Sequence, residues 1–369
     1  MLTAFIGYRG SENLGDAVQT YALSELLGLS PDFLVDRDDL RNTEVSQPVN
    51  LIANGWFAQR PEAFGFDWAK AASFVSIHLS PFAGRYSRLS MVEVLARSPE
   101  LQESLRCSGP VGARDLATLA VLEDCQIPAY FSACTTLHLR PRNVVRGDEI
   151  LAVDVDPKTL AVLRERTNRE IRAITNKVER SWLDFESICE DVGPYLDRLA
   201  ASALVITSRI HAALPSIALG TPVIFAPQDV NDPRFGGLLD FIPTVVQSEH
   251  LSQIPLDLLD EPFRGSVRRP EDQLGPIQQA LEFSPKPISR QGDESELSNL
   301  RRTLHAVTVD GAAAESENAR LRAQLIEISA RAAAAEEQLM RLRGRRIVRL
   351  GLNVAKAFAS LRSFVRYPK

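Results

Sequence analysis

The segment from residue 203 to residue 225 limits the possible folds of this chain more than any other. Two apolar runs typical of buried strands, at 203–205 and 223–225, enclose a stretch with helical spacing that ends at Gly220. A strand–helix–strand unit directs the amino end of its helix at a ligand crevice. The segment therefore predicts an α/β fold with a mainly parallel sheet.

The predicted helix begins at Ser208-Arg209-Ile210-His211, with Ser208 as the N-cap residue. The free amide groups and positive dipole end of a helix start favour an anion. A cation such as Arg209 opposes that dipole unless a bound phosphate or carboxylate is present. The alternative is that Arg209 reaches solvent and His211 bonds a nearby carbonyl.

Alternating strands and helices predict two Rossmann-like domains that face each other across a cleft. We expect the first at 1–140 and the second at 149–284, because 140–143 has the composition of a linker. A chain of 369 residues has room for two domains and an extension. A polar linker at 285–296 precedes that extension.

Residues 297–343 show an unbroken heptad pattern that predicts a coiled coil and, through it, a homodimer. Asn318 occupies a core position, where it favours two strands in fixed register. Small residues such as Gly311 weaken the seam, so a single helix packed on the body is the alternative.

Residues 345–369 predict a basic amphipathic helix. Apolar residues recur at helical spacing, and 341–369 holds nine basic side chains and no acidic one, although the whole chain has net charge −5. Such a helix suits a membrane surface. A partner-binding helix and a nucleic-acid contact are the alternatives, and the interleaved apolar residues favour membrane over nucleic acid.

The four cysteines, Cys107, Cys125, Cys134 and Cys189, have no disulfide or zinc spacing. They predict small buried residues in a reducing cytoplasm, and we expect no metal or cofactor. The first residues predict a strand, and no apolar run reaches the roughly 20 residues that span a bilayer. We therefore expect a cytoplasmic protein whose tail allows a peripheral position at the inner membrane face.

Three motifs occur in an order and spacing that resemble the polysaccharide pyruvyl transferase family. They are the first loop through Asn13-Leu14-Gly15-Asp16, then Val111-Gly112-Ala113-Arg114-Asp115, and then Ser208-Arg209-Ile210-His211. Shorter supporting stretches lie at 36–37, 54–57, 130–137 and 232–235. The resemblance covers roughly residues 1–240. One departure is Asn54-Gly55-Trp56, where many members have a Gly-Gly pair, and it bears on the acceptor site more than on the donor site.

The resemblance implies two Rossmann-like domains similar to the GT-B class of glycosyltransferases. It also implies transfer of the enolpyruvyl group of phosphoenolpyruvate to a sugar of a surface polysaccharide or its precursor, which yields a cyclic pyruvate ketal. By the same resemblance Arg114, Ser208 and Arg209 bind phosphoenolpyruvate, and His211 and Arg209 are catalytic. Guanidinium groups suit phosphate and carboxylate, and imidazole suits proton transfer.

Four further residues are candidates for binding the acceptor sugar: Asn13, Asp16, His78 and Arg234. Each has a structural alternative. Asn13 and Asp16 could simply cap a helix and complement its dipole. His78 could be a satisfied buried residue, and Arg234 could pair with Asp232.

Two other functions remain open at this point. The first is a nucleotide-sugar glycosyltransferase with the same GT-B-like architecture, although the helix after Ser208 lacks an acid for a ribose. The second is a non-catalytic scaffold that acts through its coiled coil. The combination of Arg114, Arg209 and His211 argues against the scaffold.

Overall fold

The computed structural model describes residues 1–179, 182–255, 257–260 and 270–282. The predicted linker at 285–296, coiled coil at 297–343 and basic helix at 345–369 lie outside these ranges. Residues Met1–Ser289 form one compact unit. Its elements follow the α/β alternation predicted from the sequence.

The strands, in chain order, are β1 (Leu2–Gly7), β2 (Phe33–Asp36), β3 (Val49–Phe57), β4 (Ala71–Leu79), β5 (Val111–Ala113), β6 (Ala129–Phe131), β7 (Ile150–Val153), β8 (Ile171–Ile174), β9 (Leu204–Thr207) and β10 (Val223–Phe225). The helices are α1 (Leu14–Leu27), α2 (Met91–Arg97), α3 (Pro99–Cys107), α4 (Leu116–Asp124), α5 (Pro157–Arg166), α6 (Phe185–Ala201), α7 (Ile210–Ala218), α8 (Asp257–Asp260) and α9 (Leu274–Glu282). Short 3₁₀ turns complete the connections.

The strands form two separate parallel sheets. The first has the order β2-β1-β3-β4-β5-β6 and the second the order β10-β9-β7-β8. The pairings of these strands are all parallel, for example Ala4 with Phe33 and Val205 with Val223. Parallel strands place all their carboxyl ends at one edge, so the loops that follow them converge there.

Strands in the middle of the sheets, such as β1, β7 and β9, have buried apolar residues on both faces. In β9, Val205 packs into the large core that also includes α1 and the first sheet. Its neighbours Leu204 and Ile206 point to the opposite face and join a smaller core with Leu163 of α5. The period of two in a strand produces this division.

Backbone hydrogen bonds join the loops of the two sheets. The Leu14 amide donates to the Asn176 carbonyl at 2.8 Å, and the Val178 amide donates to the Glu12 carbonyl at 2.8 Å. The start of α1, from the first sheet, is therefore fixed to the loop that follows β8, from the second. This junction brings the carboxyl ends of both sheets to the same place.

Two details of the sequence interpretation are corrected by the structure. Ser208 is not the N-cap of α7, because Arg209 occupies that position and the Ser208 hydroxyl donates to the Asp154 carbonyl instead. Of the four free cysteines, Cys134 is buried, whereas Cys107, Cys125 and Cys189 are partly exposed. Cys107 lies in α3 and Cys189 in α6, and Cys125 directly follows α4.

Candidate active site

A cavity of about 810 Å³ lies where the loops of the two sheets meet. Its wall contains residues from the first loop, from the ends of β2, β3 and β5, and from the start of α7. The predicted site residues in this wall are Asn13, Asp16, Arg114, Ser208, Arg209, His211 and Arg234. The structure thus brings together side chains more than 200 residues apart in sequence, such as Asn13 and Arg234.

His78 is the predicted site residue that the structure does not place in the cavity wall. It is fully buried at the end of β4, and its Nδ1 lies 2.6 Å from the Asp115 carboxylate. Burial lowers the pKa of His78 even though the bond to Asp115 opposes this change. The neutral ring therefore donates a hydrogen bond from its Nδ1–H group to Asp115. This matches the alternative that His78 is a satisfied buried residue.

His211 lies in the cavity wall and is 7% exposed. Its Nε2 has no hydrogen-bond partner among the described residues. Burial lowers the pKa of His211 well below its usual value, and the positive charges of Arg114 and Arg234 lower it further. His211 is therefore neutral at pH 7, with a ring nitrogen available to accept or donate a bond.

Gly15 makes the position of His211 possible. A Cβ added at Gly15 would lie 2.8 Å from the His211 Cβ and 3.2 Å from its Nδ1. Real Cβ atoms do not approach other atoms so closely, so only glycine permits this contact between α1 and α7.

Replacement of Gly15 by alanine should therefore displace His211. We expect a loss of about 1–3 kcal/mol in the free energy of unfolding, typical of overpacking, together with a fall in turnover. Urea denaturation and an activity assay measure the two effects. The matched control is Gly193→Ala in α6, another helical glycine, where nothing lies within 4 Å of the added Cβ. Equal stability and activity of Gly15→Ala and the control would refute the packing argument.

Arg114 follows β5 directly and is only 2% exposed. Its Nη1 donates to the Gln19 side-chain oxygen at 3.4 Å, and its Nε lies 3.7 Å from the Asp115 carboxylate. That Nε and the Gln19 Nε2 have no hydrogen-bond partner within the described ranges. Buried donors without partners are rare in native structures, which points to a ligand that is held here.

Asn13 and Asp16 hold the first loop in place. The Gly15 amide donates to the Asn13 side chain at 3.2 Å, so Asn13 is the N-cap of α1. The Asp16 carboxylate accepts a bond from the Ser11 hydroxyl at 2.6 Å and forms a 3.4 Å ion pair with Arg37. Both residues line the cavity, and both also have structural roles at the start of α1, where Asn13 is the N-cap and Asp16 lies in the first turn.

Arg209 and Arg234 each form a close pair with an aspartate. The Arg209 Nε donates to Asp154 at 2.7 Å, and the Arg234 Nη2 donates to Asp232 at 2.6 Å. Arg209 remains 45% exposed and Arg234 41% exposed. The aspartates therefore orient two guanidinium groups that still face the cavity.

Two contributors to the site, Asp154 and Arg37, were not predicted from the sequence. Asp154 directly follows β7, adopts a positive φ of 52°, and orients Arg209. Arg37 lies 5.1 Å from the Tyr8 ring and 6.0 Å from the Trp56 ring. The position of Asp154 at a strand end could have identified it, because polar residues there surround α/β sites.

The departure at Asn54-Gly55-Trp56 has a structural explanation. Asn54 is buried and donates to the Gln19 carbonyl at 2.7 Å. The pairing of β3 with β4 shifts between Ala53 and Gly55, and Gly55 has a φ of 116° against the Tyr8 hydroxyl. This irregularity directs Trp56 into the cavity wall.

Residues 95–229 match the family model described as polysaccharide pyruvyl transferase. The resemblance noted in the sequence is confirmed. Over residues 95–229, the chain is therefore similar to a family of transferases. The matched range contains Arg114 and the turn from Ser208 to His211, whereas the first loop and Arg234 lie outside it. No curated protein matches the sequence.

Several solved structures are distantly similar. An uncharacterised protein from Klebsiella pneumoniae has 13% identity and a TM-score of 0.38, over 63% of this chain and 87% of that one. UDP-N-acetylglucosamine 2-epimerase from Methanocaldococcus jannaschii has 10% identity and a TM-score of 0.36, over 83% and 99%. The wall teichoic acid polymerase TagF has 8% identity and a TM-score of 0.33, over 76% and 88%.

Two general features concern the described ranges as a whole. None of their helices has both the length and the apolar character needed to cross a membrane. No three of their histidine, cysteine, aspartate or glutamate side chains form a group that could hold a metal ion.

Proposed function

We propose that this chain transfers the enolpyruvyl group of phosphoenolpyruvate to a sugar of a surface polysaccharide or its precursor, and forms a pyruvate ketal. The observation that carries the proposal is the arrangement of Arg114, Arg209 and Arg234 around a neutral, buried His211 in one cavity. Residues 149–284 then act as the donor domain and residues 1–140 as the acceptor domain, across the cleft.

Phosphoenolpyruvate carries a phosphate and a carboxylate, and the cavity offers guanidinium groups for both. Arg114 is buried and has unused donor capacity, so it suits a fully desolvated anionic group. Arg209 and the Ser208 hydroxyl lie at the start of α7, where the helix dipole also favours an anion. The two sheets therefore grip the donor from opposite sides.

His211 supplies the proton transfer in this proposal. The neutral ring accepts a proton from one acceptor hydroxyl as its oxygen forms a bond to the central carbon of the enolpyruvyl group. In the same step the electrons of the carbon–carbon double bond move to the methylene carbon, which takes that proton from the ring and becomes the methyl group. The second acceptor hydroxyl displaces phosphate, and its proton leaves on the phosphate.

The charges in the cavity favour these proton transfers. Burial, and then the positive charges of Arg114 and Arg234, lower the pKa of His211. A bound trianion offsets those two positive charges, so the imidazolium form becomes accessible when the donor is in place. Premature protonation is thereby avoided, and the ring can both accept and release a proton during the reaction.

A second cavity, of about 460 Å³, argues against the nucleotide-sugar glycosyltransferase. It lies on the second sheet, next to Arg209, and its wall includes Asp154, Asp156, Asp229 and Asp232. Arg209 and Arg234 neutralise two of these carboxylates, and the other two remain available to repel a diphosphate. This surface is poorly suited to a nucleotide.

Titration calorimetry and product analysis together test the proposed function. We expect phosphoenolpyruvate to bind and a panel of nucleotide-sugars not to bind. Incubation of phosphoenolpyruvate with lipid-linked glycans should release phosphate and yield the ketal, detected by mass spectrometry. Binding of a nucleotide-sugar, without binding of phosphoenolpyruvate, would support the glycosyltransferase instead.

The C-terminal predictions complete the proposal and lie outside the described residues. We infer that the coiled coil at 297–343 joins two copies of the chain. The basic helix at 345–369 then holds the dimer at the inner face of the membrane, close to a glycan acceptor. No nucleic-acid partner is included in this proposal.

A further inference from the structure

We propose that Arg60 and Arg85, gathered around Tyr86, form a second anion-binding subsite at the rim of the cavity. Its ligand is the acidic group of an anionic acceptor sugar, either a uronate carboxylate or a sugar phosphate. The inference rests on the proposed function, since it identifies the class of acceptor. We call this group of three residues the rim subsite.

The arginines of the cavity wall differ in whether a carboxylate lies beside them. These arginines are Arg37, Arg60, Arg85, Arg114, Arg209 and Arg234. Four of them lie within 4 Å of a carboxylate: Arg37 with Asp38 at 2.8 Å, Arg114 with Asp115 at 3.7 Å, Arg209 with Asp154 at 2.7 Å and Arg234 with Asp232 at 2.6 Å. Within the described ranges, Arg60 and Arg85 have no carboxylate partner. These two guanidinium groups therefore keep their capacity to bind an external anion.

The aromatic ring of Tyr86 lies close to both arginines of the rim subsite. The Arg60 Cζ lies 5.2 Å from the centre of its ring, and the Arg85 Cζ lies 5.6 Å from it. The negative face of an aromatic ring attracts such cations and holds two like charges near one point. Tyr86 is 62% exposed, so the cations that it gathers are open to a ligand. An anion bound between them would offset their mutual repulsion.

Hydrogen bonds and close packing hold the backbone of the rim subsite in place. The amides of Arg85 and Tyr86 donate to the side chain and the carbonyl of Gln59 at 3.3 Å and 3.2 Å. Gly84 packs directly on the carbonyls of Ala58 and Gln59, where a Cβ would not fit. The loop after β4 is thereby fixed to the end of β3, which carries Arg60. Little ordering is needed when a ligand binds.

The distribution of charge determines where an anionic sugar would lie. The acidic residues Asp36, Asp38 and Asp39 lie at the end of β2 and just after it, at the edge of the first sheet, whereas the rim subsite follows β3 and β4. Arg114 follows the next strand, β5. An acceptor with its acidic group at the rim avoids the carboxylates and directs its hydroxyl groups toward His211. Guanidinium groups bind carboxylate and phosphate with the same paired geometry.

Binding measurements with simple probes test the rim subsite. Protein saturated with phosphoenolpyruvate is titrated at low salt with glucose 1-phosphate, glucuronate and glucose, and followed by saturation-transfer NMR. We expect both acidic probes to bind at least tenfold more tightly than glucose, and the tighter of the two identifies the acidic group. The variant Arg60→Ala/Arg85→Ala should lose this preference and keep its affinity for phosphoenolpyruvate. Arg97→Ala/Arg172→Ala, which removes two exposed arginines elsewhere, is the charge-matched control.

Three results would overturn the proposal. They are equal binding of acidic probes and glucose, an unchanged preference in Arg60→Ala/Arg85→Ala, and displacement of the probes by phosphoenolpyruvate, which would place them in the donor site. Failure of the wild-type protein to bind phosphoenolpyruvate has a different meaning. It would refute the proposed function, and the probes titrated alone would still report on the rim subsite.

Discussion

His211→Ala is expected to lower turnover by about 10²–10⁴-fold, the usual contribution of a positioned acid–base residue. The affinity for phosphoenolpyruvate should change much less, because Arg114 and Arg209 supply the charge that holds the donor. Steady-state kinetics with saturating donor measure the first effect, and calorimetry measures the second. The acidic limb of the wild-type kcat/KM profile should lie below pH 6.5, because burial and then the two arginines lower the pKa of the free histidine.

The control for this prediction is His250→Ala, which removes an exposed histidine from a 3₁₀ turn outside the cavity wall. It should keep wild-type turnover. If His211→Ala keeps normal turnover, the histidine has no part in proton transfer. If it loses affinity for phosphoenolpyruvate in proportion to its activity, the role of His211 is binding.

Arg114→Ala is expected to have the largest effect on donor binding. Loss of one partner from a buried, hydrogen-bonded charge pair costs about 2–5 kcal/mol, which corresponds to roughly 30-fold to several thousand-fold in affinity. Calorimetric titration with phosphoenolpyruvate measures the change. The affinity of Arg114→Lys for phosphoenolpyruvate should lie between that of the wild-type protein and that of Arg114→Ala, because an ammonium group retains the charge and loses the paired geometry.

Thermal unfolding separates this binding effect from a loss of fold. Removal of Arg114 leaves Asp115 bonded to His78 and to the Thr118 amide, so the carboxylate keeps two partners. Arg97→Ala, an exposed arginine of α2, provides the matched control and should bind normally. Normal donor affinity in a folded Arg114→Ala protein would exclude Arg114 from the donor site.

The regular elements were predictable because they depend on local patterns. The strands at 203–205 and 223–225, the helix that ends before Gly220, and the second sheet that begins near residue 150 all follow from apolar periodicity and turn residues. The sequence predicts the N-cap of α7 at Ser208, one residue before the observed N-cap, Arg209. Ser208 bonds to Asp154 instead of the helix, and a partner 54 residues away leaves no local signal.

The meeting of the motifs was also predictable in outline. Parallel strands place their carboxyl ends together, so Arg114 after β5 and His211 after β9 could be expected at a common crevice. That rule depends on the order of strands and loops along the chain, which the sequence contains. It explains why most of the predicted site residues lie in one cavity wall.

The sequence by itself determined the α/β class, the positions of the strand ends and the chemical types of side chain available at them. Only the tertiary structure decided what each side chain does. It paired His78 with Asp115 and Asp16 with Arg37, and among the described residues it gave Arg60 and Arg85 no carboxylate partner. It also made His211 neutral, because burial and the charges of Arg114 and Arg234 arise from distant parts of the chain. Pairing, burial and pKa depend on distances in space, and a linear pattern does not contain those distances.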